Sequence, residues 1–280
     1  HVYRKLPQSV QVMAIDSGVR PLMVHFRKDL SKGLQANDIS RADGFPALAN
    51  LYLYSVDRNP RRVRLETNFV GPATNKPSRT LVGARMRYDG QFDPEPGAGT
   101  QLQRRLARDH DLALTMDAVA AVDLNTHKFA LLSALGDSQL TDEEAAAIRR
   151  WVEAGGTLWM EAAGGSQGAG EALAAMLAKI MPGARPEPLE PSDPIISGYY
   201  GNERVRYRSY VLGAMGASNT PRLTAVRQKG RTAIIYSPED LTGGLAGLSH
   251  WGIFGYSVES ARRLVLNGVL DVLQRYNQAP

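Results

Sequence analysis

"LTDEEAAAIRRWVEAGGTLWMEAAGGSQGAGEALAAML", Leu140 to Leu177, decides what kind of fold this chain can adopt. Thr141 followed by Glu144 is a capping box, and Asp142 and Glu143 put negative charge on the positive first turn of a helix. Ala145, Ile148, Trp151 and Val152 recur at helical spacing and give that helix one apolar face. Gly155 and Gly156 end it where a left-handed residue is wanted. "TLWMEA" then reads as a buried strand. "GEALAAMLAKIMPG" follows as a second amphipathic helix, stopped by Pro182 and Gly183.

The same alternation extends in both directions. "TLVGARMRY" (80–88) reads as a strand, "GTQLQRRLARDH" (99–110) as a helix, "DLALTM" (111–116) as a short strand and "HKFALLSAL" (127–135) as a more apolar one. Residues 184–220, rich in Pro, Gly and Tyr, are expected to form loops and a short excursion over one sheet edge. "RLTAVR" and "RTAIIYS" pair about a turn at Gly230, and "SVESARRLVLNGVLDVLQRY" closes the unit with a long helix. Ser257 is its expected N-cap and Glu259 favours its first turn. Strands alternating with helices of this length imply a mainly parallel sheet covered on both faces. Ligands of such folds bind beyond the carboxyl ends of the strands.

Composition narrows the function classes. With 280 residues and 43% hydrophobic content the chain can build a large core. No stretch approaches the roughly 18 uncharged apolar residues of a membrane span. The chain opens at His1 with no basic and apolar leader, which points to a processed or engineered start. Cysteine is absent, so disulfides, thiolate nucleophiles and sulfur-ligated zinc are all ruled out. The five histidines, His1, His25, His110, His127 and His250, show no short metal-ligand spacing, and no Walker loop or G-x-G-x-x-G appears. No metal and no cofactor is therefore expected. Net charge is +5, and arginines cluster at Arg58, Arg61, Arg62 and Arg64 and at Arg204, Arg206 and Arg208. The period-two spacing in "VRLE" and "RVRYRSY" suits the wet faces of strands better than a continuous nucleic-acid surface. No specific nucleic-acid partner is expected.

An internal echo shapes the domain reading. Residues 11–34, "QVMAIDSGVRPLMVHFRKDLSKGL", align without gaps onto residues 222–245, "RLTAVRQKGRTAIIYSPEDLTGGL", with Ala14, Arg20, Asp29, Leu30, Gly33 and Leu34 identical to their counterparts. Residues 1–63 then read as the back half of a similar α/β unit whose front half is missing. Residues 64–79 are a linker and 80–280 a complete unit. A single domain with two similar hairpins is the rival reading. A partial sheet has open edges, so residues 1–63 should pack on the complete unit or on material outside the chain.

Four stretches carry a family resemblance: "RMRYDGQFDPEP" (85–96), residues 140–165 of the opening stretch, "SDPIISGYY" (192–200), and "AIIYSPEDLTGGLAG" (233–247) ahead of "ARRLVLNGVLDVL". Together they resemble the bacterial domain of unknown function 4159 (DUF4159). The resemblance covers about residues 80–276, with residues 11–56 similar to the tail of a divergent second copy. It implies a class I glutamine amidotransferase-like fold, a flavodoxin-like three-layer α/β sandwich, and an exported or periplasmic bacterial protein. It also implies an acidic residue where Glu161 stands. Amidotransferases place a nucleophilic cysteine just beyond that position, where this chain has Ala162 and Ala163, so glutamine amidotransferase activity is not expected.

Gly164–Gly168 nevertheless spells the hydrolase elbow G-x-S-x-G, and Asp240 and His250 follow Ser166 in the chain order of that fold. Against a nucleophile, Ala162 and Ala163 separate the strand end from the first Gly, and His250 lies in an aromatic, Gly-rich loop. A ligand-binding turn and a plain strand-to-helix connection are the competing readings. Arg85, Asp89, Glu161, Ser166, Tyr236, Asp240, His250 and Tyr256 all fall near strand ends or in the loops after them, and together are the candidate ligand-binding set. Asp240 can equally cap its own turn. The reading adopted is a non-catalytic or degenerate amidotransferase-like module that binds a small polar ligand or a protein partner at the sheet's carboxyl edge. The alternatives are a serine hydrolase using Ser166, Asp240 and His250, and a structural module of a larger exported assembly.

Overall fold

Two runs of strand-forming residues near the start of the chain meet as a hairpin, and every later strand joins a second, larger sheet. The computed structural model describes residues 6, 10–38, 44–56, 68–216 and 218–278. The basic cluster from Arg58 to Arg64 and the start of the expected 64–79 linker lie outside the described residues. β1 (Val12–Asp16) and β2 (Pro21–Phe26) pair antiparallel as a two-stranded sheet, followed by α1 (Ser31–Gln35) and α2 (Gly44–Ser55).

The main unit then runs β3 (Arg79–Arg87), α3 (Gly97–His110), β4 (Leu112–Ala120), β5 (Phe129–Ala134), α4 (Asp142–Glu153), β6 (Thr157–Ala162) and α5 (Gln167–Ile180). After these come β7 (Glu187–Pro188), α6 (Pro194–Ser197), α7 (Ser209–Met215), β8 (Thr224–Gln228), β9 (Arg231–Ser237), α8 (Thr242–Leu245) and α9 (Val258–Gln278). The sheet order is β4–β3–β5–β6–β9–β8–β7. Strands β4, β3, β5, β6 and β9 are mutually parallel, while β8 and β7 add an antiparallel margin.

Burial on both faces explains why the central strands are apolar at successive positions. All six residues of β5 and all six of β6 are buried. One face packs on α3, α6, α7 and α9 through Leu102, Leu106, Ile195, Val211 and Leu264, with Trp159 between them. The other packs on α4 and α5 through Ile148, Val152, Leu173, Met176 and Leu177. The result is a mixed, mostly parallel sheet between two helical layers, as in a flavodoxin-like three-layer sandwich.

Local signals in the opening stretch were faithful. Thr141 Oγ1 accepts from the Glu144 amide while the Glu144 carboxylate accepts from the Thr141 amide, closing the capping box. Several expectations need correction. β4 extends to Ala120, because the parallel ladder with β3 continues for its whole length. The irregular stretch contains β7, α6 and α7. In "RVRYR" the period of two holds only in part: Arg204 and Arg206 are exposed and Val205 and Tyr207 buried, but Arg208 is buried as well. Arg208 precedes α7 and turns inward to a carboxylate described below. Among the described residues, no helix is long and apolar enough to cross a membrane.

Close packing of α9 on β6 depends on Gly268, where a Cβ would collide with the Trp159 ring. Gly268→Ala should therefore destabilise the fold by about 2 kcal/mol through overpacking, despite the higher helix propensity of alanine. Equilibrium unfolding in urea checks this, with a lower midpoint and an unchanged slope as the expected result.

Candidate functional site

The carboxyl edge of the sheet is organised by two fully buried acids, Glu161 at the end of β6 and Asp240 in the turn after β9. Glu161 Oε2 accepts from the backbone amides of Leu241 and Thr242 at 2.7 and 2.8 Å, so a β6 side chain caps α8. Its Oε1 accepts from the Ser133 hydroxyl of β5. Asp240 returns the tie. Its Oδ2 accepts from the Gly164 amide in the turn after β6 at 3.0 Å, and its Oδ1 from Gly243 at 3.1 Å.

Cationic groups surround this pair. Arg85, on β3, donates Nη2 to Ser133 Oγ at 2.8 Å and to the Phe92 carbonyl at 2.9 Å, and its Nε lies 3.2 Å from Asp93. Arg208 Nη2 lies 3.6 Å from Asp240 Oδ1, and its Nε donates to the Tyr256 carbonyl. Burial and the Glu161 charge push the Asp240 carboxyl up to about 7, against the pull of Arg208 and the Gly164 amide. Arg85 Nη1 and Arg208 Nη1, both buried, donate to no described protein atom, and ordered water is the usual partner of such groups.

The opening of the edge is covered by the chain itself. The β1–β2 turn lies across it, with Val19 against Gly164 and Gly18 against Leu135. From that turn Arg20 reaches the buried Glu95, with Nε–Oε1 at 2.7 Å and Nη2–Oε2 at 3.1 Å. A fork-to-fork guanidinium–carboxylate contact is strong and directional. Ser17 Oγ accepts from the Val19 and Arg20 amides and holds the turn that aims Arg20. The loop before α9 covers the rest: Phe254 donates its amide to the Gly164 carbonyl, and a Cβ on Gly165 would strike the Phe254 carbonyl oxygen. Gly164 and Gly165, both at positive φ, are thus required by a tight turn and a close backbone approach.

Each candidate residue can now be placed. Arg85, Glu161 and Asp240 share the buried network. Ser166 is the N-cap of α5, its Oγ accepting from Ala169 N at 3.2 Å, so α5 begins earlier than helical periodicity alone indicates. His250 packs on Tyr54 of α2, ring centroids 5.4 Å apart. Ser166 and Asp240 therefore each perform a backbone-capping job, Asp240 holding the Gly164 and Gly243 amides. Asp89 is exposed on the turn after β3. Tyr236 is half-buried against the α4–α5 side of the sheet.

Tyr256 belongs to a neighbouring cluster. It stacks on Tyr207 at 4.9 Å, and its hydroxyl accepts from the Arg222 amide. Beside them lies Glu239, buried, with Arg222 Nε 3.2 Å away. Burial raises the Glu239 carboxyl to about 7 even though Arg222 opposes the shift. Sequence reading missed Arg20, Glu95, Ser133, Arg208, Arg222 and Glu239. Arg20 stood among the identities of the internal echo and Glu95 within "RMRYDGQFDPEP", but nothing local joins residues 75 apart. Among the described residues, no group of three His, Cys, Asp or Glu is arranged to hold a metal ion.

An α/β module whose carboxyl edge is held by internal ion pairs and capping carboxylates is the class that fold and site define. The family model for a domain of unknown function, DUF4159, matches residues 83–273, and the chain belongs to that family. No curated protein matches the sequence. Without a cysteine, the thiolate chemistry of class I glutamine amidotransferases is not open to this chain.

Two outcomes follow from this geometry. Ser166→Ala should lower stability by about 1 kcal/mol, the usual loss on removing an N-cap. A fluorophosphonate probe should label wild type and Ser166→Ala equally, and loss of labelling in the variant would restore the nucleophile reading. Glu239 keeps its proton in the fold up to about pH 7 but releases it near 4.5 when unfolded. Its stabilising contribution is thus full below about pH 4.5 and disappears as the pH rises to 7. The stability difference between wild type and Glu239→Gln should change by about 3 kcal/mol across that window, read from denaturation at each pH.

Proposed function

We propose that this chain is a non-catalytic, degenerate amidotransferase-like module whose sheet edge holds polypeptide rather than a small substrate. The observation that carries this reading is the Arg20–Glu95 pair. The position where α/β folds of this kind bind ligands receives a guanidinium from the β1–β2 turn, at bidentate distances and largely out of water. Glu161 and Asp240 point their oxygens at backbone amides, the job of scaffold residues rather than of acids and bases aimed at substrate.

The same reading takes the hairpin unit as a divergent partial copy of the main one. Its support is the order of elements. At the offset of 211 residues that aligns the sequences, β1, β2 and α1 fall on β8, β9 and α8. The module would then be a pair of related units, one reading the other through Arg20.

Arg20→Ala tests the socket. It should reduce stability by about 2–3 kcal/mol, because Glu95 is left buried and unpaired. Amide exchange at 17–20 should accelerate to the rate of an exposed loop. Adding Glu95→Ala to Arg20→Ala should cost less than the sum of the single changes. Unchanged exchange in Arg20→Ala would show that the turn is held by something else.

A further inference from the structure

The two lateral margins of the main sheet are not alike. At one, β7 is two residues long, carries the charge of Glu187 and ends in Pro188, which has no N–H to offer a further strand. Short length, charge and proline are the usual protections of a sheet margin. At the other, β4 runs for nine residues, "LALTMDAVA", with no proline, no lysine or arginine, and Asp117 as its one charge. Its ladder with β3 keeps one register from end to end, so no bulge turns the outer strand away from a partner.

Backbone alternation says which groups of β4 point outward. The Arg79 amide donates to the Asp111 carbonyl, whereas the Val82 carbonyl accepts from Lys128, just ahead of β5. Odd-numbered residues of β3 therefore turn their backbone groups to β4 and even-numbered ones to β5. By the register of the ladder, the odd-numbered residues of β4 turn back to β3. That leaves the N–H and C=O groups of Leu114, Met116 and Ala118 pointing off the sheet, and no described residue pairs with them. The side chains of Leu114 and Met116 lie on the α3–α9 face, and that of Val119 on the α4–α5 face. Asp117 and Ala118 are exposed.

We infer that β4 is the contact through which two copies of this chain pair, antiparallel and about a two-fold axis at Met116, into one continuous sheet. What commits the strand to its own copy is that it is complementary to itself in this register. Leu112 and Leu114 occupy one half of its even-numbered face, and Ala118 and Ala120 the other. Reversal about Met116 sets Leu114 of one copy against Ala118 of the other, and Leu112 against Ala120, so large meets small. On the odd-numbered face Ala113 meets Val119, and Asp117 meets Thr115 in place of a like charge. The whole strand overlaps, and the outward N–H and C=O groups close in the hydrogen-bonded antiparallel pattern. Moving the axis to Asp117 would set the two acids face to face, and moving it to Thr115 would leave Val119 and Ala120 unpaired.

The chain has no cysteine, so a single introduced one reports the position of the axis. Met116→Cys puts the two thiols on directly paired residues, about 5.5 Å apart at Cα and within disulfide reach. Ala118→Cys puts them four residues apart along the strand, roughly 14 Å and beyond that reach. Under mild oxidation of the full chain, non-reducing electrophoresis should show disulfide dimer forming about tenfold faster in Met116→Cys. Random collision would favour Ala118→Cys, the more exposed site. In sedimentation equilibrium the cysteine-free chain should approach twice its own mass as concentration rises. Ala118→Lys, a change at an exposed position, should weaken that dimer about tenfold, because symmetry counts each lost Leu114–Ala118 contact twice. A single-chain mass at every concentration, cross-linking of Ala118→Cys at an equal or higher rate, or an unweakened Ala118→Lys dimer would each overturn the inference.

Discussion

Two carboxylates that each hold the other's backbone are the constraint on which the carboxyl edge depends. Glu161 leaves β6 to cap α8, and Asp240 leaves the turn before α8 to hold the turn after β6. Neither acid has any exposure to water, so each is tolerated only because amide and hydroxyl donors and the neighbouring Arg208 replace lost hydration. With the two loops tied in this way, Gly165 can press against the Phe254 carbonyl and the β1–β2 turn has a firm surface to rest on. Arg85 and Arg208 then find buried positions that no isolated strand pattern would have given them.

The legible parts of this fold are those governed by neighbours in sequence. The Thr141 capping box, the apolar face of α4, the glycines that end it and the wholly apolar β5 and β6 each follow from residues within a few positions of one another. That information suffices for a parallel sheet between helices. The candidate site was legible as a place, because sheet topology puts Arg85, Glu161 and Asp240 at one edge. Their jobs were not legible, since a carboxylate aimed at backbone and one aimed at substrate look the same in sequence. Ser166 illustrates the point: an N-cap serine after two glycines has the same letters as a nucleophile elbow. Arg208 was misread for another reason. The alternation in "RVRYR" was real up to Tyr207, and only the turn into α7 brings the next arginine inward.

The proposed reading turns on how fully this edge is occupied by the chain's own groups. A catalytic edge needs unpaired dipoles, an open cleft and a group with a proton to exchange. Here the amide of Gly164 is engaged, the cleft is crossed by a turn, and the strongest cation entering it belongs to the chain. The fold is intact because strands and helical layers do not depend on what the edge does. The β1–β2 hairpin leads into a short helix whose first turn is held by Asp29, which accepts from the Ser31 amide.

Sequence distance gives the edge a temporal character. The Glu161 ties to Leu241 and Thr242 span 80 and 81 residues, the Asp240 tie to Gly164 spans 76, and Arg20 lies 75 residues from Glu95. Contacts this far apart along the chain require large loops to close first, and they slow folding. The carboxyl edge is therefore assembled late, after β5, β6 and their helices have collapsed. Until it closes, the chain carries acids still in water and strands already out of it, which makes that stage of synthesis the one most exposed to misassembly.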